Sequence, residues 1–414
     1  MTVLKRLQSL TTLDAEMLSG TAWMTMSYGI KLSLQLVSFV LLARTLGPES
    51  FGIYMAILSF AVLLEPFFDL GAYNLVVRDI TKHGNSARAV GDSVALSLLV
   101  LPVGVLVLYL GYVFLFPTQL LISVVEVGLS QFIGGRAVSI ALGVNIAHGT
   151  ISRNAVLEIV NGAIRLLVVV LLIVSEGDLT TWIHLQLAGN CLMAVLVFVW
   201  LQLNFGLGVS GIAGIRERFT DGVHFAIGNA ARNLNTELDK VMIYEFSSVA
   251  GTGIYAAAAR FAVLSCVPVN ALLSTVYRHF FIEGEKGYAF SRRYARSLIP
   301  MTAGYGAFAS LALWVGADLI IFLLGDGYVE SGEALRLLAF FPFIQSVTLP
   351  YADALTGAGL QNIRSRGMIL TMIINLTLNL ALIPVFGWHG AIFATLISQS
   401  TLMLFVVFYA RRYL

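Results

Sequence analysis

Asp221, His224, Gly228, Arg232, Asn235 and Asp239 follow one another at steps of three and four, so on a helix they share one face. Ser27, Lys31, Gln35 and Ser38 make a thinner stripe at the same steps. A charge at the centre of a bilayer costs at least about 2.5 to 3.5 kcal/mol, so such groups face a cavity or a partner. The chemistry on offer is capture of an oxyanion by Lys31 and Arg232, with Gln35, His224 and Asn235 as hydrogen-bonding neighbours. Arg136 adds a further cavity contact. Glu65, Asp69, Glu126 and Asp239 are the acids that could trade a proton or a sodium ion, although Asp69 also suits a helix cap. Glu158 and Arg165, with Asn161 between them, share a face and read as a structural pair. Lys31 and Arg232 have a second reading as structural cations neutralised by Glu65, Asp69 or Asp239.

The elements that must position these groups are membrane helices. The chain is 58% hydrophobic and 12% charged, with mean hydropathy +0.86 and net charge +2, against about 25% charged residues in soluble domains. Roughly 20 apolar residues cross the hydrocarbon, which gives twelve spans. They cover about 23 to 44, 51 to 77, 88 to 115, 119 to 146, 154 to 175, 179 to 203, 219 to 246, 251 to 278, 297 to 324, 330 to 358, 366 to 385 and 388 to 410. Arg44 is the one cation assigned to an outer loop, while Arg78, Lys82, Arg153, Arg216, Arg292, Arg364 and Arg411 fall on the inner side. That bias places both termini in the cytoplasm. Residues 1–22 form a cytoplasmic segment in which Leu4, Leu7 and Leu10 beside Lys5 and Arg6 suit a helix on the membrane surface. The segment is too polar for a signal peptide. Trp23, Trp182, Trp200, Trp314 and Trp388 sit near span ends, as an interfacial belt requires, and Tyr73, Tyr244 and Tyr255 could stack on sugars.

An internal repeat organises the spans. Gly52-Ile53-Tyr54 recurs as Gly253-Ile254-Tyr255, and Phe60-Ala61-Val62-Leu63 as Phe261-Ala262-Val263-Leu264. Six spans per half insert the same way up, so the halves are parallel: a bundle over 23–203, a connector over 204–218 and a bundle over 219–410, around a central cavity. The same offset maps Lys31 onto Arg232. Pro66 and Pro268 fall close to equivalence and should kink their spans.

Leu42-Ala43-Arg44-Thr45-Leu46-Gly47-Pro48-Glu49-Ser50-Phe51-Gly52-Ile53-Tyr54, followed by Asp69-Leu70-Gly71 and Val77-Arg78-Asp79-Ile80, resembles the first two spans of the polysaccharide transporter family. That family includes O-antigen and exopolysaccharide flippases within the multidrug, oligosaccharidyl-lipid and polysaccharide exporter superfamily. The resemblance implies two six-helix bundles in a bacterial inner membrane, moving a polyprenyl-diphosphate-linked oligosaccharide for lipopolysaccharide, capsule or exopolysaccharide synthesis. It also implies glycosyltransferases and a polymerase as partners, and no cofactor beyond a coupling ion.

Rivals are weaker. A cation-coupled multidrug or metabolite exporter of the same superfamily would have its cationic substrates repelled by Lys31 and Arg232. A membrane glycosyltransferase or polymerase needs catalytic groups on sizeable loops, and no HExxH, GxSxG or phosphate-loop motif is present. No basic domain is available for a nucleic acid.

Overall fold

The computed structural model describes the backbone of residues 2–119 and 121–413, and their side chains except those of residues 2–26, 28, 151, 212, 213, 224, 231 and 413. The expected surface segment 1–22 thus lies outside the described side chains. Fifteen α-helices occur in order: α1 Thr2–Asp69, α2 Ala72–His83, α3 Ser86–Leu115, α4 Leu121–Ala147, α5 Ile151–Val174, α6 Leu179–Phe205, α7 Ile212–Phe246, α8 Val249–Ser265, α9 Val267–Lys286, α10 Tyr288–Val315, α11 Leu319–Leu324, α12 Val329–Leu338, α13 Phe341–Gly357, α14 Gln361–Phe386 and α15 Trp388–Tyr413. No strand occurs among the described residues. This is the solution expected where no water is present to satisfy an open backbone.

Among the described residues, ten helical segments are long and apolar enough to cross a membrane. The first of them, Gly29–His83, runs over 55 residues and contains two breaks. One is Gly47 (φ 71°, ψ 168°), a left-handed backbone that L side chains avoid. The other is Leu70 and Gly71, at φ 44° and 62°. Helix α7 carries the polar stripe from Asp221 to Asp239 along one face.

The two prolines act differently from one another. Pro66 stays inside α1, which ends three residues later, and the Asp69 carboxylate then caps α2 by accepting from Ala72 N at 3.0 Å. Span 8 instead stops at Cys266, and Pro268 opens α9 in its first turn, where its missing N–H costs nothing. Outside the hydrocarbon, Asp178 caps α6. Its carboxyl is held below the usual range by the Thr181 N–H at 2.9 Å and hydroxyl at 3.0 Å.

The chain divides into two compact units, residues 1–45 with 61–230 and residues 46–60 with 231–414. In the first, Val76, Val90, Ile140, Val144, Met193 and Leu201 form a core among α2, α3, α4 and α6. The first part of α7 belongs to it as well, with Ala226 packed beside Leu70 and Leu96. In the second, Leu273, Phe280, Ala295, Leu355, Val406 and Ala410 bring together α9, α10, α13 and α15.

Residues 46–60 join the second unit through the repeat itself. A Cβ on Gly52 would collide with the Val249 carbonyl oxygen and lie 3.0 Å from Gly253 N; one on Gly253 would collide with the Pro48 oxygen and lie 3.1 Å from Gly52 N. The duplicated glycines therefore pack on each other. Small residues at such crossings let backbones approach and gain dispersion contacts, the main attraction between helices in lipid. Gly52→Leu and Gly253→Leu should each cost about 1 to 3 kcal/mol through overpacking. Thermal unfolding in detergent measures this, and unchanged melting for both would contradict the contact.

Candidate functional site

Within the first unit, α4, α5 and α6 enclose a cavity of about 400 Å³. Each helix contributes one face: Gln131, Gly135, Val138 and Leu142 from α4, Asn161, Arg165 and Val168 from α5, and Trp182, Gln186 and Gly189 from α6. These residues follow at steps of three and four. Gly134, Ser139, Ile164, Asn190 and Tyr73 of α2 also line it. Four carboxamides, a serine hydroxyl, two aromatic rings and a guanidinium thus meet inside an apolar bundle, with no acid among the lining residues.

Part of this polar set is already engaged. Gln131 Nε2 donates to Glu65 Oε2 at 3.2 Å, and Asn190 Nδ2 donates to the Ser130 hydroxyl at 2.7 Å and carbonyl at 3.2 Å. Asn161 and Arg165 make no hydrogen bond or ion pair among the described residues. Gln186 Oε1 is buried without a hydrogen-bond partner there. The arrangement can present donors and acceptors to a polyhydroxylated ligand and one exposed cation, Arg165, to an anion.

The sequence candidates fall into place unevenly. Lys31 lies 2.9 Å from Glu158, where Gly162 brings α5 close to Leu34 of α1. The pair expected between Glu158 and Arg165 is therefore not formed. Lys31 is neutralised by an acid outside the set the sequence suggested, and Arg165 is left to the cavity. Arg136 is held between helices. It is 8% exposed, and its guanidinium donates to Ser97 Oγ at 2.7 Å, the Phe68 carbonyl at 3.0 Å and the Ser93 carbonyl at 3.1 Å. With Asp69 Oδ1 at 3.7 Å, it clamps helices and does not line the cavity.

Each candidate acid has a partner. Asp69 caps α2, Glu65 accepts from Gln131, and Glu126 sits 2.7 Å from His184 Nδ1. Asp239 is buried in the second unit, where the Tyr255 hydroxyl donates to it and Lys240 N lies 2.8 Å away. Tyr255 is itself 2% exposed, so its ring is not open for stacking. Asp221 pairs with Arg78, which also holds Asp79 at 2.9 Å, and Arg218 reaches Asp79 at 3.0 Å. Arg232 is exposed on α7, Gln35 is half-buried with no hydrogen bond among the described residues, and Asn235 Oδ1 is buried without such a partner. The His224 side chain lies outside the described residues.

Trp182 is fully buried in the cavity wall, contrary to its expected interfacial place. Trp388 is also buried and donates to Glu330 at 3.2 Å. Gln131, Ser139, Gln186 and Asn190 were not singled out from the sequence, although their spacing is periodic. Uncharged amides leave no mark on charge or ion-pair patterning.

A family model described as polysaccharide biosynthesis protein matches residues 17–278. An uncharacterized membrane protein of Methanocaldococcus jannaschii is 24% identical over 207 residues, 48% of this chain and 40% of that one. The match thus spans less than half of that relative. Among solved structures, the lipid II flippase MurJ in an inward closed conformation has a TM-score of 0.74 at 13% identity, covering 94% of this chain and 87% of that one. An inward-facing multidrug resistance transporter of the MATE family, MOP superfamily, gives 0.73 at 14%, covering 92% and 94%. A MOP superfamily transporter from Pyrococcus furiosus, described as having a binding pocket of reverse polarity, gives 0.65 at 12%, covering 94% of each. These likenesses establish a shared fold.

Proposed function

The chain belongs to the polysaccharide biosynthesis protein family, and from that membership we propose that it is a flippase for polyprenyl-diphosphate-linked oligosaccharides. It works by alternating access in a bacterial inner membrane. Twelve crossings follow if Gly29–His83 counts as two and α7 as one, with bundles over 23–203 and 219–410 and both termini in the cytoplasm. The polyprenyl tail stays in lipid while the diphosphate and sugars, too polar for hydrocarbon, pass through hydrated space. The product feeds surface polysaccharide synthesis beside glycosyltransferases and a polymerase.

The observation that carries this reading is the cavity of α4, α5 and α6. Amides, a hydroxyl and aromatic rings suit sugar hydroxyls and ring faces, whereas a cationic drug would meet Arg165 and no carboxylate in that wall. The flippase fold of MurJ supports the same direction. The test is reconstitution of the purified protein in vesicles carrying a fluorescent polyprenyl-diphosphate oligosaccharide. The labelled headgroup should change leaflets faster than in protein-free vesicles. Translocation of a cationic dye without movement of the lipid-linked sugar would overturn the proposal in favour of an exporter.

A further inference from the structure

We infer that the cavity of α4, α5 and α6 is a subsite for an oxyanion-bearing saccharide, with Arg165 on the oxyanion and Asn161 and Gln186 on ring hydroxyls. This rests on the flippase reading and names what part of the substrate the first unit reads. Arg165 sits in mid-helix, followed by the apolar run Leu166-Leu167-Val168-Val169-Val170. A cation placed there calls for a counter-charge or water. Glu158, on the same face of α5, is held by Lys31 at 2.9 Å. Glu65, at the edge of the cavity, accepts from Gln131 at 3.2 Å, and the wall itself holds no acid. Water serves Arg165 in the empty state, and an oxyanion serves it better, because a guanidinium fork matches a carboxylate or phosphate in two parallel bonds.

The neighbours select a sugar over a bare anion. Asn161 lies one turn before Arg165, so its amide and the guanidinium project on the same face. Gln186 Oε1 is buried with no hydrogen-bond partner among the described residues, an acceptor waiting for a hydroxyl donor. The volume of about 400 Å³ is near the small end of ligand pockets, so it takes part of an oligosaccharide and not all of it. The oxyanion comes either from a carboxylate on the sugar or from the carrier's diphosphate.

Three probes separate these sources: a short-chain polyprenyl diphosphate alone, the same carrier bearing a glucosyl disaccharide, and one bearing a glucuronosyl disaccharide. Binding is titrated to the full-length protein in lipid nanodiscs, for the wild type, Arg165→Gln, Arg165→Lys and Gln186→Leu, each checked for unchanged melting. Arg165→Gln should weaken binding about tenfold or more, the scale of one charge-assisted hydrogen-bonded pair, and Arg165→Lys should weaken it less. Loss confined to the glucuronosyl probe identifies a sugar carboxylate; equal loss for all three identifies the diphosphate. Gln186→Leu should weaken the two sugar probes and spare the bare carrier. If the wild type binds and Arg165→Gln binds all three equally well, the subsite is refuted while the flippase reading stands. If the wild type binds none of them, both fall.

Discussion

Arg136→Ala is expected to cost about 3 to 5 kcal/mol of stability, the range for removing one partner from a buried charged network. Helix α1 ends at Asp69 because Leu70 and Gly71 are left-handed, so its last carbonyls have no helical donors. Arg136 Nη1 answers the Phe68 carbonyl at 3.0 Å and places a cation at the negative end of that helix. Its other nitrogens reach Ser97 and Ser93 of α3 at 2.7 and 3.1 Å. Alanine would strand the Phe68 carbonyl, leave Asp69 without its cation and open a hole between α1, α3 and α4. Arg136→Lys should fall between the two, since one ammonium cannot span three acceptors in this fork. Thermal unfolding in detergent and the yield in membranes are the measurements. A well-folded Arg136→Ala protein that fails only in transport would restore the cavity role read from the sequence.

The repeat was the most legible feature of the sequence, and its meaning extends to packing. Identical glycines at one offset predicted equivalent helices, and Gly52 and Gly253 prove to touch. Membrane spans were legible for a similar reason, since apolar length is a one-dimensional quantity. Ion-pair partners were not. Periodicity places Glu158, Asn161 and Arg165 on one face of α5 but does not say which helix that face meets. Close approach at Gly162 lets Lys31 of α1 take Glu158. Asp69 shows the same limit: it lies in a run read as one span, and the break at Leu70 turns it into a cap for α2. Trp182 stands near a helix end, as belt residues do, yet its ring is buried in the wall of the cavity among α4, α5 and α6.

That exchange of partners moves the proposed anion site within the first unit from Lys31 to Arg165. A lysine 2.9 Å from a carboxylate offers little net charge to a ligand, whereas a guanidinium in a wall without acids offers nearly all of its own. In the second unit the Lys240 ammonium is itself held by two acids, Glu237 at 2.9 Å and Asp239 at 3.8 Å.

Lys240→Met should be the other severe substitution, again about 3 to 5 kcal/mol. Lys240 is 8% exposed; its ammonium donates to Glu237 Oε2 at 2.9 Å and the Thr236 carbonyl at 2.8 Å, and stands 3.8 Å from Asp239 Oδ1. Ser59 Oγ donates to Glu237 at 2.8 Å, and the Tyr255 hydroxyl, 3.4 Å from Thr395 Oγ1, donates to Asp239. One ammonium therefore stabilises two carboxylates that tie residues 46–60, α8 and α15 to α7. Methionine fills similar space but leaves those carboxylates in mutual repulsion without the ammonium they share. Removing a charge of each sign is far less harmful than removing one. Lys240→Met with Glu237→Gln should recover most of the stability, and the cycle with Glu237→Gln alone should be strongly non-additive. Purely additive losses in thermal unfolding would show that the cation is not what holds the carboxylates together.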